Sequence, residues 1–168
     1  MRRTSFRDAE CPIARGVDQV GDWWSLLILR DALGGLTRFD QFERSLGIAP
    51  AMLTKRLRAL VDSGLLERRP YTERPVRHEY VLTERGRDFH SVLLAFYAWY
   101  ERATPADDLV MRPVDRDGTP VDPVLVDRAT GRPLDELDVR FAPGPAASPA
   151  LHRRLTRRPT KATHEENR

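Results

Sequence analysis

The sequence predicts an α+β fold in which several short helices precede a β-hairpin and a final helix. Apolar side chains recur at three- and four-residue steps from residue 12 to residue 62, and glycines interrupt them. Residues 65–82 contain two strand-like runs around a polar, proline-broken turn. Residues 83–103 return to helical spacing. The 168 residues suffice for one domain of about 100 to 150 residues with appendages.

The first two predicted helices differ in their apolar content. Ile13, Val17 and Val20 give the first helix a single apolar face, with Pro12 at its first position. Asp22 is a suitable cap for the second helix, residues 23–33, which is apolar on nearly all sides. We therefore expect the second helix to form the buried centre of the domain.

A helix-turn-helix is predicted next. The pattern Thr37-x-x-Asp40 resembles a capping box that opens a third helix after the Gly34-Gly35 pair. A fourth helix should begin near Ala49-Pro50 and end near Ser63-Gly64.

The fourth helix is predicted to have one apolar and one basic side. At about 100° per residue, Leu53, Leu60 and Val61 fall within about 60° of Leu57 and point inward. Arg56 and Arg58 then project at opposite flanks, where they could reach phosphates on both walls of a DNA groove. The outward positions are Ala51, Met52, Lys55, Ala59 and Asp62. An ordinary solvated helix has the same pattern, so this helix alone does not distinguish a DNA-binding face from a solvent-exposed one.

The hairpin that follows favours nucleic-acid binding. Strands are predicted over residues 65–71 and 76–82, with a turn between them at residues 72–75. Residues 44–77 hold eight basic and three acidic side chains, which concentrates positive potential on this segment. The arginines of this hairpin, or wing, lie at its base and tip: Arg68, Arg69, Arg74 and Arg77.

An aromatic stripe marks the final predicted helix, which Thr83 can cap. Its simplest partner is a second copy of the chain, together with the first helix. The alternative is that the stripe packs on its own core. The predicted dimer residues are Ile13, Val17, Phe89, Leu93, Phe96, Trp99 and Tyr100.

Residues 11–103 resemble the HxlR-type winged helix-turn-helix regulators, relatives of the MarR group. The resemblance rests on ordered short motifs: Cys11-Pro12, Trp24, Leu27-Ile28-Leu29-Arg30-Asp31, Arg38-Phe39, Gly47-Ile48, Leu53, Arg56-Leu57, Gly64-Leu65-Leu66, Glu79-Tyr80-x-Leu82-Thr83 and Gly86. It implies a homodimer on double-stranded DNA, dimerised through its terminal helices, that represses or activates nearby genes. By this resemblance the groove-facing positions are Ala51, Met52, Thr54, Lys55, Arg56 and Arg58, with Arg38 on the phosphates before them.

Two positions depart from the usual family pattern. Ala49 stands where a capping serine is common, and a missing cap costs about 1 kcal/mol, too little to abolish the helix. Ala51 and Met52 make the outward face small and apolar, which suits thymine methyl groups.

Cys11 is the only cysteine and precedes the first helix, where the helix dipole favours a thiolate. Asp8 and Glu10 should oppose this by raising the thiol pKa. Some relatives of the HxlR type sense electrophiles or oxidants through a cysteine in this region. Cys11 is therefore either a redox or electrophile sensor, or a small buried apolar residue.

The chain divides into residues 1–104, the winged-helix domain, an extension at residues 105–143, and a basic tail at residues 144–168. The acidic extension is predicted to be β-rich, with strands at 109–111, 124–126 and 139–141 and a faint internal duplication around two turns. It could hold an effector pocket or extend the dimer. The proline-rich tail is predicted to be disordered.

Other function classes find little support in the sequence. His78, His90, His152 and His164 form no metal-ligand or catalytic pattern, so we expect no enzyme, metal or cofactor. The apolar runs are too short to cross a bilayer and a signal peptide is not evident, which predicts a cytoplasmic protein without a membrane partner. The alternative function is a winged-helix module that binds protein rather than DNA. Neither the operator nor an effector can be named.

Overall fold

The computed structural model describes residues 5–156. Four helices come first, α1 (Pro12–Val20), α2 (Trp23–Leu33), α3 (Phe39–Leu46) and α4 (Pro50–Asp62). A two-stranded antiparallel sheet follows, β1 (Leu66–Glu73) and β2 (Val76–Leu82). Helices α5 (Glu84–Asp88), α6 (His90–Glu101) and, after the extension, α7 (Pro149–Thr156) complete the order. The predicted α+β winged helix-turn-helix is confirmed.

Helix α2 lies at the centre of the core, as its composition predicts. It contacts α1, α3, α4, α6 and β2, although Trp23 at its start is 71% exposed. The fully buried apolar residues come from four elements: Ile28, Leu29, Phe42, Leu53, Leu57, Leu60 and Leu66.

A buried carboxylate connects α2 to α3. Asp31 is 8% exposed, and it accepts hydrogen bonds from the Ser45 hydroxyl at 2.7 Å and from Arg30 Nε at 2.8 Å. Because buried carboxylates need such partners, this contact fixes the angle between the two helices.

The first turns of α2, α3 and α4 differ in their side-chain caps. Asp22 caps α2 by accepting a hydrogen bond from the Ser25 amide, as predicted. The capping box predicted for α3 is shifted by one residue, because the side-chain oxygen of Gln41, rather than Asp40, accepts from the Thr37 and Arg38 amides. Ala49 leaves α4 without a side-chain cap, and Pro50 begins the helix.

The wing is continuous with the start of α3. Strand β1 pairs with β2 from Leu66 opposite Leu82 to Glu73 opposite Val76, with a register shift between Pro70 and Thr72. The Tyr80 amide donates to the Thr37 carbonyl at 2.7 Å, and Arg38 forms an isolated bridge with Glu79. Arg38 is thereby held against the sheet.

The predicted final helix is broken into α5 and α6 at Phe89. Thr83 caps α5 as predicted, accepting from the Gly86 amide at 3.0 Å. Gly86 is buried so tightly against the Leu65 carbonyl that a Cβ atom there would lie 2.1 Å from the oxygen. Only glycine allows α5 this close to the base of the wing.

The three strands predicted in the extension do not form. A strand requires consecutive hydrogen-bonded partners, which the backbone lacks among residues 105–143. Two isolated bridges, Val114 with Pro120 and Val126 with Pro133, close two similar turns. Asp115 and Asp127 each accept backbone amides within their own turn, so the faint duplication corresponds to two turns of the same kind.

The tail is not wholly disordered as predicted, because α7 forms over Pro149–Thr156. Ser148 caps it by accepting from the Leu151 amide at 3.1 Å. The Ser148 hydroxyl and amide both donate to the Glu10 carboxylate, which ties α7 to the segment before α1. Residues 157–168, with the remaining basic side chains of the tail, lie outside the described residues. Among the described helices, no helix is long and apolar enough to cross a membrane.

Candidate nucleic-acid interface

Helix α4 presents a continuous exposed face opposite its buried leucines. Leu53, Leu57 and Leu60 are fully buried, which fixes the rotation of the helix about its axis. The Thr54 hydroxyl donates to the Pro50 carbonyl at 2.8 Å, so its hydrogen is already committed to the helix backbone. The exposed predicted site residues of this helix are Ala51, Met52, Thr54, Lys55 and Arg58.

Arg58 and Lys55 are the free cations of this face among the described residues of α4. The Arg58 side chain is 83% exposed and lies 3.9 Å from Asp62, a distance at which the ion pair contributes little. Arg58 can therefore turn toward a phosphate without losing a strong contact.

Arg56 does not project from the flank of α4 as the helical projection predicts. Its guanidinium forms an ion pair with Asp22, and the two side chains are only 16% and 22% exposed. The flank that carries Arg56 faces the junction of α1 and α2 rather than solvent. Arg56 is thus not part of the exposed basic face.

The wing carries the second group of cations. Arg68, Arg69, Arg74 and Arg77 are all exposed. Arg69 donates to Glu67 at 2.8 Å, and this hydrogen bond lowers the pKa of the Glu67 carboxyl. The Thr72 hydroxyl donates to the Pro75 carbonyl and accepts from the Arg77 amide, which holds the turn closed at the tip.

Arg38, just before α3, lies against the wing. Its guanidinium lies 4.7 Å from the centre of the Tyr71 ring, a cation–π contact, while its backbone pairs with β2. A hollow of about 340 Å³ opens between the start of α3 and the wing. Its polar lining includes Arg38, Arg68, Arg77 and His78.

Sequence patterns alone did not single out Tyr71 and His78 as part of this site. The Arg68 guanidinium lies 2.9 Å from His78 Nδ1 across the hairpin, so His78 orients a predicted site arginine. Alternation of side chains along the two strands would place Arg68 beside His78 only if the pairing register of the hairpin were known. The irregularity after Pro70 changes that register, so it cannot be counted from the turn.

The residues predicted for dimerisation fall into two groups. Ile13, Val17, Phe96, Trp99 and Tyr100 are all more than half exposed. Leu93 and Phe89 are half-buried, and the Phe89 ring also packs against the protomer's own core, so its part in a dimer stays a prediction. Beside α6 and the extension lies an apolar groove of about 430 Å³, crossed by an ion pair between Arg102 and Asp135.

Cys11 is half-buried at the N-cap of α1. The nearby Ala14 amide is the main cause that lowers the pKa of its thiol, and the Ile13 amide, Arg154 of α7 and Arg15 add to it. The expected rise from Asp8 and Glu10 is therefore not the net effect. Within residues 5–156, no group of three His, Cys, Asp or Glu side chains could hold a metal ion.

Comparison with known proteins decides the family. The model of the HxlR-like helix-turn-helix family matches residues 19–108, more than half of the chain. The chain belongs to the HxlR-like helix-turn-helix family. This HxlR-type protein is accordingly a transcriptional regulator with a helix-turn-helix DNA-binding domain, and members of this kind are not enzymes.

Relatives and solved structures agree with this assignment. An uncharacterised HTH-type transcriptional regulator of Mycobacterium tuberculosis strain H37Rv is 38% identical over 144 residues, which cover 79% of this chain and 85% of the relative. The crystal structure of PA1607, a candidate transcription factor, superposes with a TM-score of 0.73 at 42% identity and covers 83% of this chain and 99% of its own.

Two further structures are similar to this HxlR-type protein. PA1374 of Pseudomonas aeruginosa, also a candidate transcription factor, has a TM-score of 0.62 at 52% identity, covering 86% of this chain and all of its own. The redox regulator HypR in its reduced form has a TM-score of 0.51 at 32% identity and covers 55% of this chain and 92% of its own.

Proposed function

We propose that this HxlR-type protein is a homodimeric repressor that binds a palindromic operator through α4 and the wing. The observation that carries the proposal is the set of exposed cations, Lys55 and Arg58 on α4 together with Arg38 and the wing arginines. A helix of this kind fits the major groove, and a basic hairpin beside it reaches the flanking backbone.

The α1 and α6 surfaces support a dimer. Phe96, Trp99 and Tyr100 are 57%, 68% and 63% exposed, and Ile13 and Val17 on α1 are also more than half exposed. Exposed large apolar side chains of this kind are typical of a protein interface. A two-fold dimer carries two α4 helices, which favours an operator with two related half-sites.

Repression follows from the size of such a complex. A dimer that occupies two half-sites covers more than one turn of DNA, so it would block access of the transcription machinery to an overlapping promoter. An in vitro transcription assay on the gene's own upstream region should show decreasing transcript with increasing protein. Increasing transcript would indicate an activator.

DNA binding is tested with an electrophoretic mobility shift on that upstream fragment. We expect the parent protein to retain it at moderate salt, and Lys55→Ala to weaken retention and lower the slope of log affinity against log salt by about 1. Arg128→Ala is the matched control, since Arg128 is an exposed arginine in a turn of the extension. Equal retention by the Lys55→Ala variant and the parent would contradict the assignment of this face. Failure of the parent on every fragment would favour the protein-binding alternative.

Cys11 supports a second proposed role, detection of electrophiles or oxidants. Its thiol lies at a helix N-terminus with a lowered pKa, and the similar structure HypR is a redox regulator. With one cysteine in each chain, the available products are a thiol adduct with an electrophile or, in the presence of an oxidant, a disulfide between subunits.

A further inference from the structure

Arg56 occupies an unusual place for an arginine in a DNA-reading helix. It directly precedes the fully buried Leu57 at the flank of the helix, and its guanidinium turns back toward its own protomer to meet Asp22. Among the described residues, Arg56 Nε is a buried side-chain nitrogen without a hydrogen-bond partner. A half-buried ion pair is a weak source of net stability, but removal of one partner is costly. The pair therefore fits a role in orientation better than a role in stability alone.

Asp22 makes two contacts with one carboxylate. One oxygen accepts from the Ser25 amide at the start of α2, and the other faces Arg56. Asp22 directly follows Gly21, at which α1 ends. The carboxylate is therefore held in place by the helix junction before it contacts α4.

A second contact joins the same segment to the end of α4. Arg85 of α5 donates to the Ser63 carbonyl at 2.6 Å and to the Gln19 side chain in the last turn of α1. Ser63 is the C-cap of α4. Residues 19–22 therefore contact α4 near its middle, through Asp22 and Arg56, and are connected to its end through Arg85.

We infer that Arg56 is a positioning residue that, through Asp22, sets the orientation of α4 relative to α1, and that it is not a phosphate contact. This inference rests on the proposed binding of DNA by α4. Because α1 carries Ile13 and Val17 of the proposed dimer surface, residues 19–22 link the dimer to the two DNA-reading helices. The spacing and angle of the two α4 helices then depend on this ion pair.

The two roles of Arg56 predict different responses to Asp22. If Arg56 positions α4, then Asp22→Asn and Arg56→Gln remove the same interaction, and each should weaken operator binding about tenfold. The double variant should be no weaker than the worse single one, because coupled residues are not additive. If Arg56 contacts a phosphate, Asp22→Asn should leave binding unchanged or strengthen it.

Salt dependence separates positioning from phosphate contact. Fluorescence anisotropy on the upstream fragment over a salt series should give the parent's slope for Arg56→Gln, whereas Lys55→Gln should lower the slope by about 1. Lys55 is the matched control, an exposed cation next to Arg56 on the same helix. A slope lowered by about 1 in Arg56→Gln would overturn the inference.

A charge exchange keeps the test informative if the single variants fold poorly. The variant with Asp22→Arg and Arg56→Asp restores an ion pair but places a carboxylate on α4, so it should recover binding only if the pair positions the helix. No recovery in a folded exchange variant would overturn the inference.

A DNA-free measurement makes the two failures distinguishable. Hydrogen exchange of the α4 amides should be faster in Asp22→Asn and in Arg56→Gln than in Lys55→Gln. Unchanged exchange in both variants would overturn the positioning role even if the parent binds DNA. Suppose instead that exchange is faster in both variants but the parent never binds DNA. That result would overturn the proposed function, together with the DNA-reading part of this inference.

Discussion

Gly86 offers a quantitative test of how α5 holds the base of the wing. In Gly86→Ala the new Cβ would lie 2.1 Å from the Leu65 carbonyl oxygen and 3.1 Å from the Leu65 carbonyl carbon. A carbon and a carbonyl oxygen in contact normally lie about 3.3 Å apart, so the backbone of α5 or of the wing must move by about 1.2 Å. Both neighbours are main-chain atoms that cannot rotate away.

The expected cost follows from that displacement. Overpacking of a core costs about 1 to 3 kcal/mol, whereas the better helix propensity of alanine returns at most about 1 kcal/mol. We expect a net loss of about 1 to 2 kcal/mol in the free energy of unfolding, which lowers Tm by about 2 to 8 °C in a chain of this size. Urea and thermal unfolding followed by circular dichroism would measure both quantities.

Gly16 in α1 is the matched control. A Cβ there meets no atom within 4 Å, so Gly16→Ala should stabilise the protein by about 0.5 to 1 kcal/mol through helix propensity alone. Unchanged or raised stability of Gly86→Ala, at equal urea m-value, would refute the reasoning about the contact between α5 and Leu65.

Three more predictions use other parts of the fold. Phe96→Asp, at an exposed position, should give a monomer by light scattering. The variant should stay folded, with a Tm near that of the parent diluted until it is monomeric. An unchanged dimer would contradict the α6 interface. Asp31→Ala should lower the free energy of unfolding by about 1 to 3 kcal/mol, because Ser45 loses its acceptor, and a neutral result would show that the buried contact is dispensable. The Cys11 thiolate is favoured in the folded chain, so alkylation by iodoacetamide should reach its half-maximal rate at a lower pH than in the urea-unfolded chain, and Arg154→Ala should move that pH upward. Identical pH profiles of folded and unfolded chains would contradict the lowered pKa.

Local signals were enough to predict the helices and the wing. Pro50, the buried leucines and Gly64 mark the start, face and end of α4, and the structure places it at Pro50–Asp62. The hairpin was predictable because its strands are strongly patterned and its turn contains Pro75. In each case the deciding information lies within a dozen residues.

The errors concern contacts that are distant in the sequence. A helical projection places Arg56 and Arg58 symmetrically about Leu57, and only the tertiary structure shows that the Arg56 side adjoins Asp22. Phe89 matched an apolar stripe, yet it lies at the break between α5 and α6, where it is half-buried and packs against the core.

The C-terminal third was harder to predict for the same reason. Helix α7 begins at Pro149, and the link from its cap Ser148 to Glu10 spans 138 residues, so composition alone favoured disorder. In the extension, short apolar runs predicted strands, but each run lacks a partner strand, and only Val126 of these runs forms an isolated bridge.

The most direct test of the central claim is hydroxyl-radical footprinting of the full chain on the gene's upstream DNA. The proposed dimer predicts two protected patches, related by two-fold symmetry and separated by about 10 base pairs or a multiple of it. It also predicts that Lys55→Ala weakens both patches equally. A single patch, uniform protection independent of sequence, or no protection at concentrations at which the protein is dimeric would contradict the claim that α4 and the wing read a palindromic operator.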